Sequence, residues 1–304
     1  MPELPEVETI ANGVDRRIRG DRIVSAWFSK HKEPFKTAAS ALAAALPGNR
    51  VRAVHRVGKH IVVDLESAGD QNRKARSEAR PRDAKSLALE SPRREARTPG
   101  RLVPEPSQLI VHLGMTGRLL VTAPDVPQAP HTHAVLHLAS GRELRFVDPR
   151  RFGRLALNTA EAFAGPGHEP LTISPPDFAR LFRGRKLAIK AALLNQKLLH
   201  GVGNIYADES LFRAGIRPTR PAGRLTRARL DRLLKSLRAV LRAAIRAGGS
   251  SVSDYVDADG EAGFFQIQHR VYGREGQPCR VCGNQIRRIV LAGRSTHFCP
   301  RCQT

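Results

Sequence analysis

The chain has 304 residues, enough for two compact domains, and its 41% hydrophobic and 26% charged residues are ordinary for a globular protein. Fifty-one Lys and Arg against 28 Asp and Glu give a formal charge of +23, which calls for a polyanionic partner, either nucleic acid or an anionic membrane face. No apolar run approaches a membrane span, and Glu3, Glu6 and Glu8 stand where an export signal would be basic and then apolar. Nucleic acid, met in a reducing cytoplasm, is therefore the expected setting.

Leu4, Val7, Ala11, Val14 and Ile18 recur at helical spacing and predict an amphipathic helix over 3–19, with Pro2 and Pro5 suited to its first turn and Gly20 to its end. Short β-rich runs follow at 23–28, 51–57, 60–65, 109–113, 119–122, 134–138 and 143–147. Gly58, Gly117 and Ser140-Gly141 punctuate them as turns, which reads as an antiparallel sheet domain. Residues 67–107 interrupt it. They contain no aromatic residue, and ten basic against six acidic side chains leave a net +4, so they read as a disordered insertion. If 60–65 pairs antiparallel with 109–113, the insertion leaves from the end of that hairpin remote from Lys59 and Met115. From Pro176 onward the periodicity is helical again, notably over 186–199, 208–214 and 225–247.

All four cysteines fall at the C-terminus, as Cys279-Arg-Val-Cys282, sixteen residues, then Cys299-Pro-Arg-Cys302. Two C-x2-C pairs at that separation place four thiolates on two tight turns, the construction of a structural zinc ribbon with one Zn2+. Disulfides are the alternative, disfavoured in a reducing compartment. Between the pairs, Ile286, Ile289 and Leu291 alternate with arginines and suit two short strands joined at Ala292-Gly293. That hairpin carries Arg287, Arg288 and Arg294 and is a plausible DNA finger.

The opening Met1-Pro2-Glu3-Leu4-Pro5-Glu6 admits two readings. Proline and glutamates in a first turn stabilise any helix. Removal of Met1, which a small second residue permits, would instead leave Pro2 with a free secondary amine. An α-amine titrates near pH 8 and lysine near 10.4, so its nucleophilic fraction at neutral pH is larger by roughly a few hundredfold. Attack on a sugar carbon would give a cationic iminium that acidifies the neighbouring C2′ proton, and Glu3 could move protons during ring opening.

The opening MPELPEVET, His112-Leu113-Gly114-Met115-Thr116-Gly117, Asp148-Pro149-Arg150-Arg151-Phe152-Gly153, the stretch from Gly201 to Ser210 (GVGNIYADES) and Val271-Tyr272-Gly273-Arg274 resemble, in order, the hallmark segments of formamidopyrimidine-DNA glycosylases. The resemblance covers the chain apart from the insertion. It implies an α+β fold: an N-terminal helix with an antiparallel β-sandwich domain over 1–160, a helical helix-two-turn-helix domain over 161–265, and a β-hairpin zinc finger over 266–304. It also implies a monomer that releases oxidised purines such as 8-oxoguanine and formamidopyrimidines from double-stranded DNA and then cuts the strand by β,δ-elimination.

By the same resemblance Pro2 is the Schiff-base nucleophile, Glu3 the acid/base group, Lys59 the lysine of β-elimination and Arg294 the finger arginine of the δ step. Met115, Arg150 and Phe152 match the triad that fills the gap left by an extruded nucleotide, Arg150 facing the orphaned cytosine. His112, His131, Arg185 or Lys186, Asn204 and Tyr272 match backbone-contacting positions, and a glycine- and serine-rich loop over 250–263 matches the cover of the extruded base. In the Gly201–Asn204 turn, backbone and Asn204 amides could grip a phosphate. Two other readings stand beside this one. The related endonuclease VIII acts on oxidised pyrimidines, although Leu4, Val7 and the DPRRFG run look like the purine enzyme. A non-catalytic zinc-ribbon DNA binder would not need Pro2, Glu3 and Lys59 together.

Overall fold

Helix α1 (Leu4–Ile18) closes its first turn on itself: the Glu3 and Glu6 carboxylates each accept from the other residue's backbone N–H, the bond from Glu3 N to Glu6 measuring 2.8 Å. Its apolar stripe then serves two cores. Leu4 joins a helical core, while Val7, Ile10, Val14 and Ile18 join a core made by strands. The computed structural model describes residues 1–67, 107–159, 161–250, 258, 260, 261 and 263–304.

The strands are β1 (Ile23–Phe28), β2 (Arg50–Val57), β3 (His60–Glu66), β4 (Gln108–His112), β5 (Arg118–Thr122), β6 (Thr132–Leu138), β7 (Glu143–Val147) and β8 (Arg154–Asn158), with helix α2 (Ala39–Ala45) between β1 and β2. They form two antiparallel four-stranded sheets, ordered β1-β6-β7-β5 and β2-β3-β4-β8. Val54, Ile61, Val63 and Val111 of one sheet share a core with Leu119, Leu136, Leu144 and Phe146 of the other, which makes a sandwich with α1 packed against it.

Four α-helices follow among the described residues: α3 (Pro175–Phe182), α4 (Ile189–Leu194), α5 (Asn204–Ala214) and α6 (Arg227–Arg246). The Ser174 hydroxyl caps α3 by accepting from Asp177 N. Phe178, Leu193, Tyr206, Leu211, Leu233 and Leu237 are the centre of their core. The chain ends in the hairpin β9 (Arg287–Leu291) and β10 (Arg294–Phe298). Its two-residue turn, Ala292-Gly293, is left-handed at both positions, with φ of 49° and 71°, the twist-matched geometry of a tight hairpin. Among the described residues no helix is long and apolar enough to cross a membrane.

All seven expected strands are present. Among the described residues the sequence did not reveal β8, an edge strand with one buried residue, or α2, an alanine-rich helix whose buried residue is Leu42. The helix expected over 186–199 is the short α4. Asn195 ends it in an extended conformation and its side-chain oxygen accepts from Lys197 N at 3.0 Å, a local bond that competes with helix continuation. Helix α5 starts at Asn204, four residues before the expected start.

The pairing of β3 with β4, from His60 opposite His112 to Asp64 opposite Gln108, puts Lys59 and Met115 at one end of the sheet. Ser107 is at the other end, its carbonyl accepting from Leu65 N at 2.9 Å. The disordered insertion expected over 67–107 lies, apart from Ser67 and Ser107, outside the described residues. Because closure entropy changes slowly with loop length, replacing 68–106 by a short glycine linker should leave the thermal midpoint within about 4 °C of the parent. A larger drop in a calorimetric scan would mean that the β3–β4 pair depends on the replaced residues.

Candidate active site

Glu3 is the residue around which the site is built. It sits where the start of α1 meets the start of α5, with Leu4 N donating to the Gly201 carbonyl at 3.0 Å. The buried carboxylate accepts from Ile205 N at 3.1 Å and more weakly from Tyr206 N at 3.4 Å, the free amides at the α5 N-terminus. A Cβ on Gly203 would lie 2.2 Å from the Glu3 carboxyl carbon, so only glycine leaves room. An internal anion thus occupies the two amides that directly follow the Gly201–Asn204 turn. The Asn204 side chain, also expected to grip phosphate, donates to the Ser295 hydroxyl at 3.2 Å.

Burial pushes the Glu3 carboxyl up to about 7. Lys59 draws it down, Glu6 pushes it up, and the two amides lower it. Lys59 follows Gly58, which turns with a φ of +62° against the His200 ring, and is itself buried. Desolvation lowers the Lys59 amine against the pull of Glu3, and Arg294 adds to the lowering. The terminal amine at Met1 is also lowered, first by burial. Glu6 accepts from the Tyr206 hydroxyl and from Ser250 N at 2.8 Å, and burial raises its pKa.

Pro2, Glu3 and Arg294 line a cleft of about 510 Å³ together with Met115, Asn204 and Tyr272, so six of the expected site residues converge on one space. Lys59 does not line it but stands close enough to Glu3 to shift its titration.

Met115 and Phe152 are large apolar side chains left 42% and 48% exposed, so neither belongs to a core. Their loops touch at Gly114, where a Cβ would fall 2.5 Å from Gly153 N and 2.6 Å from the Phe152 carbonyl carbon. Buried Asp148 ties the loops together, accepting from the Thr116 hydroxyl at 2.6 Å and from Gly153 N at 2.7 Å. The Arg150 guanidinium lies 4.9 Å from the Phe152 ring centre. His131 is exposed with a φ of 65°, and its carbonyl accepts from Asp148 N at 3.0 Å.

His112 Nδ1 accepts from Gly114 N at 3.1 Å, and burial drops its pKa to about 4, which keeps it neutral. Arg185 and Lys186 are exposed on the connection from α3 to α4 and do not line the cleft. The expected lesion cover falls largely on 251–257, 259 and 262, outside the described residues.

The Cys279 and Cys302 sulfurs are 3.9 Å apart, those of Cys282 and Cys299 3.5 Å, and all four lie within 4.8 Å of one another. A tetrahedral zinc with bonds of about 2.3 Å spaces its thiolates about 3.8 Å apart, far beyond a disulfide bond, so the four residues fit one Zn2+.

The hairpin is fixed to α5 by groups the sequence reading did not assign. Fully buried Lys190 pairs with Asp208 at 2.7 Å and donates to the Ser295 carbonyl at 2.7 Å and the Thr296 hydroxyl at 2.9 Å. Asp208 accepts from His297 N at 2.8 Å. The Glu209 carboxylate accepts from the backbone of Arg270, Val271 and Tyr272. The signal was present: Asp208 and Glu209 interrupt a helix that is otherwise buried almost all round, where carboxylates need partners.

Family models match this chain in three consecutive stretches: Formamidopyrimidine-DNA glycosylase N-terminal domain over 1–155, Formamidopyrimidine-DNA glycosylase H2TH domain over 166–256, and Zinc finger found in FPG and IleRS over 276–304. A formamidopyrimidine-DNA glycosylase of Solibacter usitatus is 41% identical over 307 residues, covering 100% of this chain and 99% of its own length. The crystal structure of MutM (Fpg) from Thermus thermophilus superposes with a TM-score of 0.78 at 37% identity, over 99% of this chain and 98% of the other. A point mutant of the Lactococcus lactis FPG, solved in complex with a Fapy-dG containing DNA, gives 0.80 at 29% identity over 100% of both. With its whole length accounted for in this way, the chain belongs to the formamidopyrimidine-DNA glycosylase family.

Proposed function

We propose that this chain excises oxidised purines from duplex DNA and cleaves the resulting abasic strand through a Schiff base on Pro2. The observation that carries the reading is Glu3: a buried carboxyl, next to Pro2 and in the same cleft as Arg294, held on a helix N-terminus with its pKa near 7. Such a group can donate a proton and take one back at neutral pH. Burial lowers the terminal amine in this cleft, here that of Met1, which favours the neutral, nucleophilic form.

The neutral amine attacks C1′, and the base leaves with the electrons of the glycosidic bond. Protonation of the ring oxygen by Glu3 opens the sugar to an iminium. Loss of the C2′ proton expels the 3′ phosphate, and a second elimination expels the 5′ phosphate. In this scheme Lys59 assists the first elimination and Arg294 holds the phosphates beside the lesion for the second. Met115, Arg150 and Phe152 fill the gap in the duplex, their loops fixed by Asp148. His112, His131, Arg185 or Lys186, Asn204 and Tyr272 position the DNA backbone. The zinc, held by Cys279, Cys282, Cys299 and Cys302, supplies a structural cross-link. Lys190, through Asp208 and the β10 backbone, keeps Arg294 at the cleft.

Borohydride should trap a covalent complex between the processed protein and a duplex with 8-oxoguanine opposite cytosine, with much less on a thymine glycol duplex. Full activity in protein shown by mass spectrometry to retain Met1 would end the Pro2 assignment, and faster action on thymine glycol would overturn the purine preference.

Among the described residues the buried cluster around the zinc cysteines adds just Phe212, Val271 and Ile286, so the fold of the hairpin should depend on the metal. Metal analysis should give one zinc per chain, and chelation should weaken duplex binding by about tenfold or more. Zinc-free protein that binds DNA normally would contradict this.

A further inference from the structure

The catalytic cleft lies at the N-terminal end of α5, and a larger cavity, of about 750 Å³, lies at the other end. It opens between the last turn of α5, the middle of α6, the segment after Phe264 and the first zinc knuckle. Its floor is apolar, with Phe212, Val240 and Phe265 almost completely buried, and its edge carries Ile267 and Val281, each 69% exposed. Four guanidiniums, Arg213, Arg232, Arg270 and Arg280, stand around it.

Two properties separate this cavity from an ordinary basic surface. None of the four arginines has a carboxylate within ion-pair distance among the described residues. The one carboxylate lining the cavity, Glu209, is buried and fully engaged by three backbone N–H groups at 2.8 to 3.0 Å. An apolar floor with exposed aliphatic edges and unneutralised cations around it has the anatomy of a protein interface.

Charge decides the occupant. A second copy of a chain carrying +23, or its own insertion at net +4, would be repelled. Duplex DNA would meet the guanidiniums but has no flexible apolar group to lay on the floor. The cavity also stands about 15 Å along the eleven-residue α5 from the cleft where DNA is handled. We propose that this cavity docks an acidic peptide segment of a partner protein, with one apolar side chain seated on Phe212, Val240 and Phe265 and its carboxylates on the arginines.

The test uses zinc-loaded full-length protein and a short fluorescein-labelled peptide of glutamates around a central phenylalanine, followed by anisotropy at low salt. Saturable binding is expected. It should weaken by about tenfold or more in the double variant Arg213→Glu/Arg232→Glu, in Val281→Asp, and for the peptide with serine in place of phenylalanine. All three substituted residues are exposed, so the fold and the excision rate should be unchanged. Absence of saturable binding, or equal binding by parent and variants, overturns the proposal. So does displacement of the peptide by undamaged duplex together with loss of duplex binding in the double variant, which would make the cavity a DNA surface.

Discussion

A carboxylate placed on the first amides of a helix joins the two halves of this protein. Glu3 belongs to the start of α1, most of which packs in the β-sandwich, and its hydrogen-bond donors belong to α5, in the helical core. The contact is possible because Gly203 has no side chain. Its electrostatic logic is double-edged. Helix amides favour the anion, but burial disfavours it more, and the balance leaves the carboxyl able to exist in either form near neutrality. A structural junction and a carboxyl that can gain or lose a proton near neutrality are thus the same atoms.

Helix α5 extends that role along its length. Its first turn holds Glu3, Asp208 in its middle holds Lys190 and the β10 backbone, and Glu209 holds the segment leading to Tyr272. A buried pair such as Lys190–Asp208 adds little net stability, but removing one partner costs about 3–5 kcal/mol because a charge is stranded. The value of the pair is positional. It fixes the zinc hairpin so that Arg294 reaches the cleft lined by Pro2. Asp148 plays the equivalent part for the loops of Met115 and Phe152, which approach closely at Gly114.

Much of this was legible in the sequence because it is local. Alternation in the strands, the apolar stripe of α1, the paired C-x2-C spacing and the five motif segments all lie within short windows, and the structure brings Pro2, Glu3, Met115, Asn204, Tyr272 and Arg294 to one cleft. What escaped was set by distant partners or by the absence of periodicity. β8 buries a single residue and is made a strand by pairing with β4. Lys190 looked like one more basic residue in a basic chain, and only the fold places it against Asp208 and Thr296. That the amides just beyond the Gly201–Asn204 turn, of Ile205 and Tyr206, hold the protein's own Glu3 was not legible, because no spacing rule reveals a contact across about 200 residues of chain.

Burial against its helix amides and Lys59 balances the Glu3 carboxyl near neutrality. Carbon-13 NMR of the glutamate side-chain carboxyls across a pH series measures this directly. One resonance, lost in Glu3→Gln, should titrate near pH 7 and move to higher pH in Lys59→Ala, where the opposing cation is gone. A Glu3 midpoint at the ordinary glutamate value near 4.5, unmoved by loss of Lys59, would contradict it.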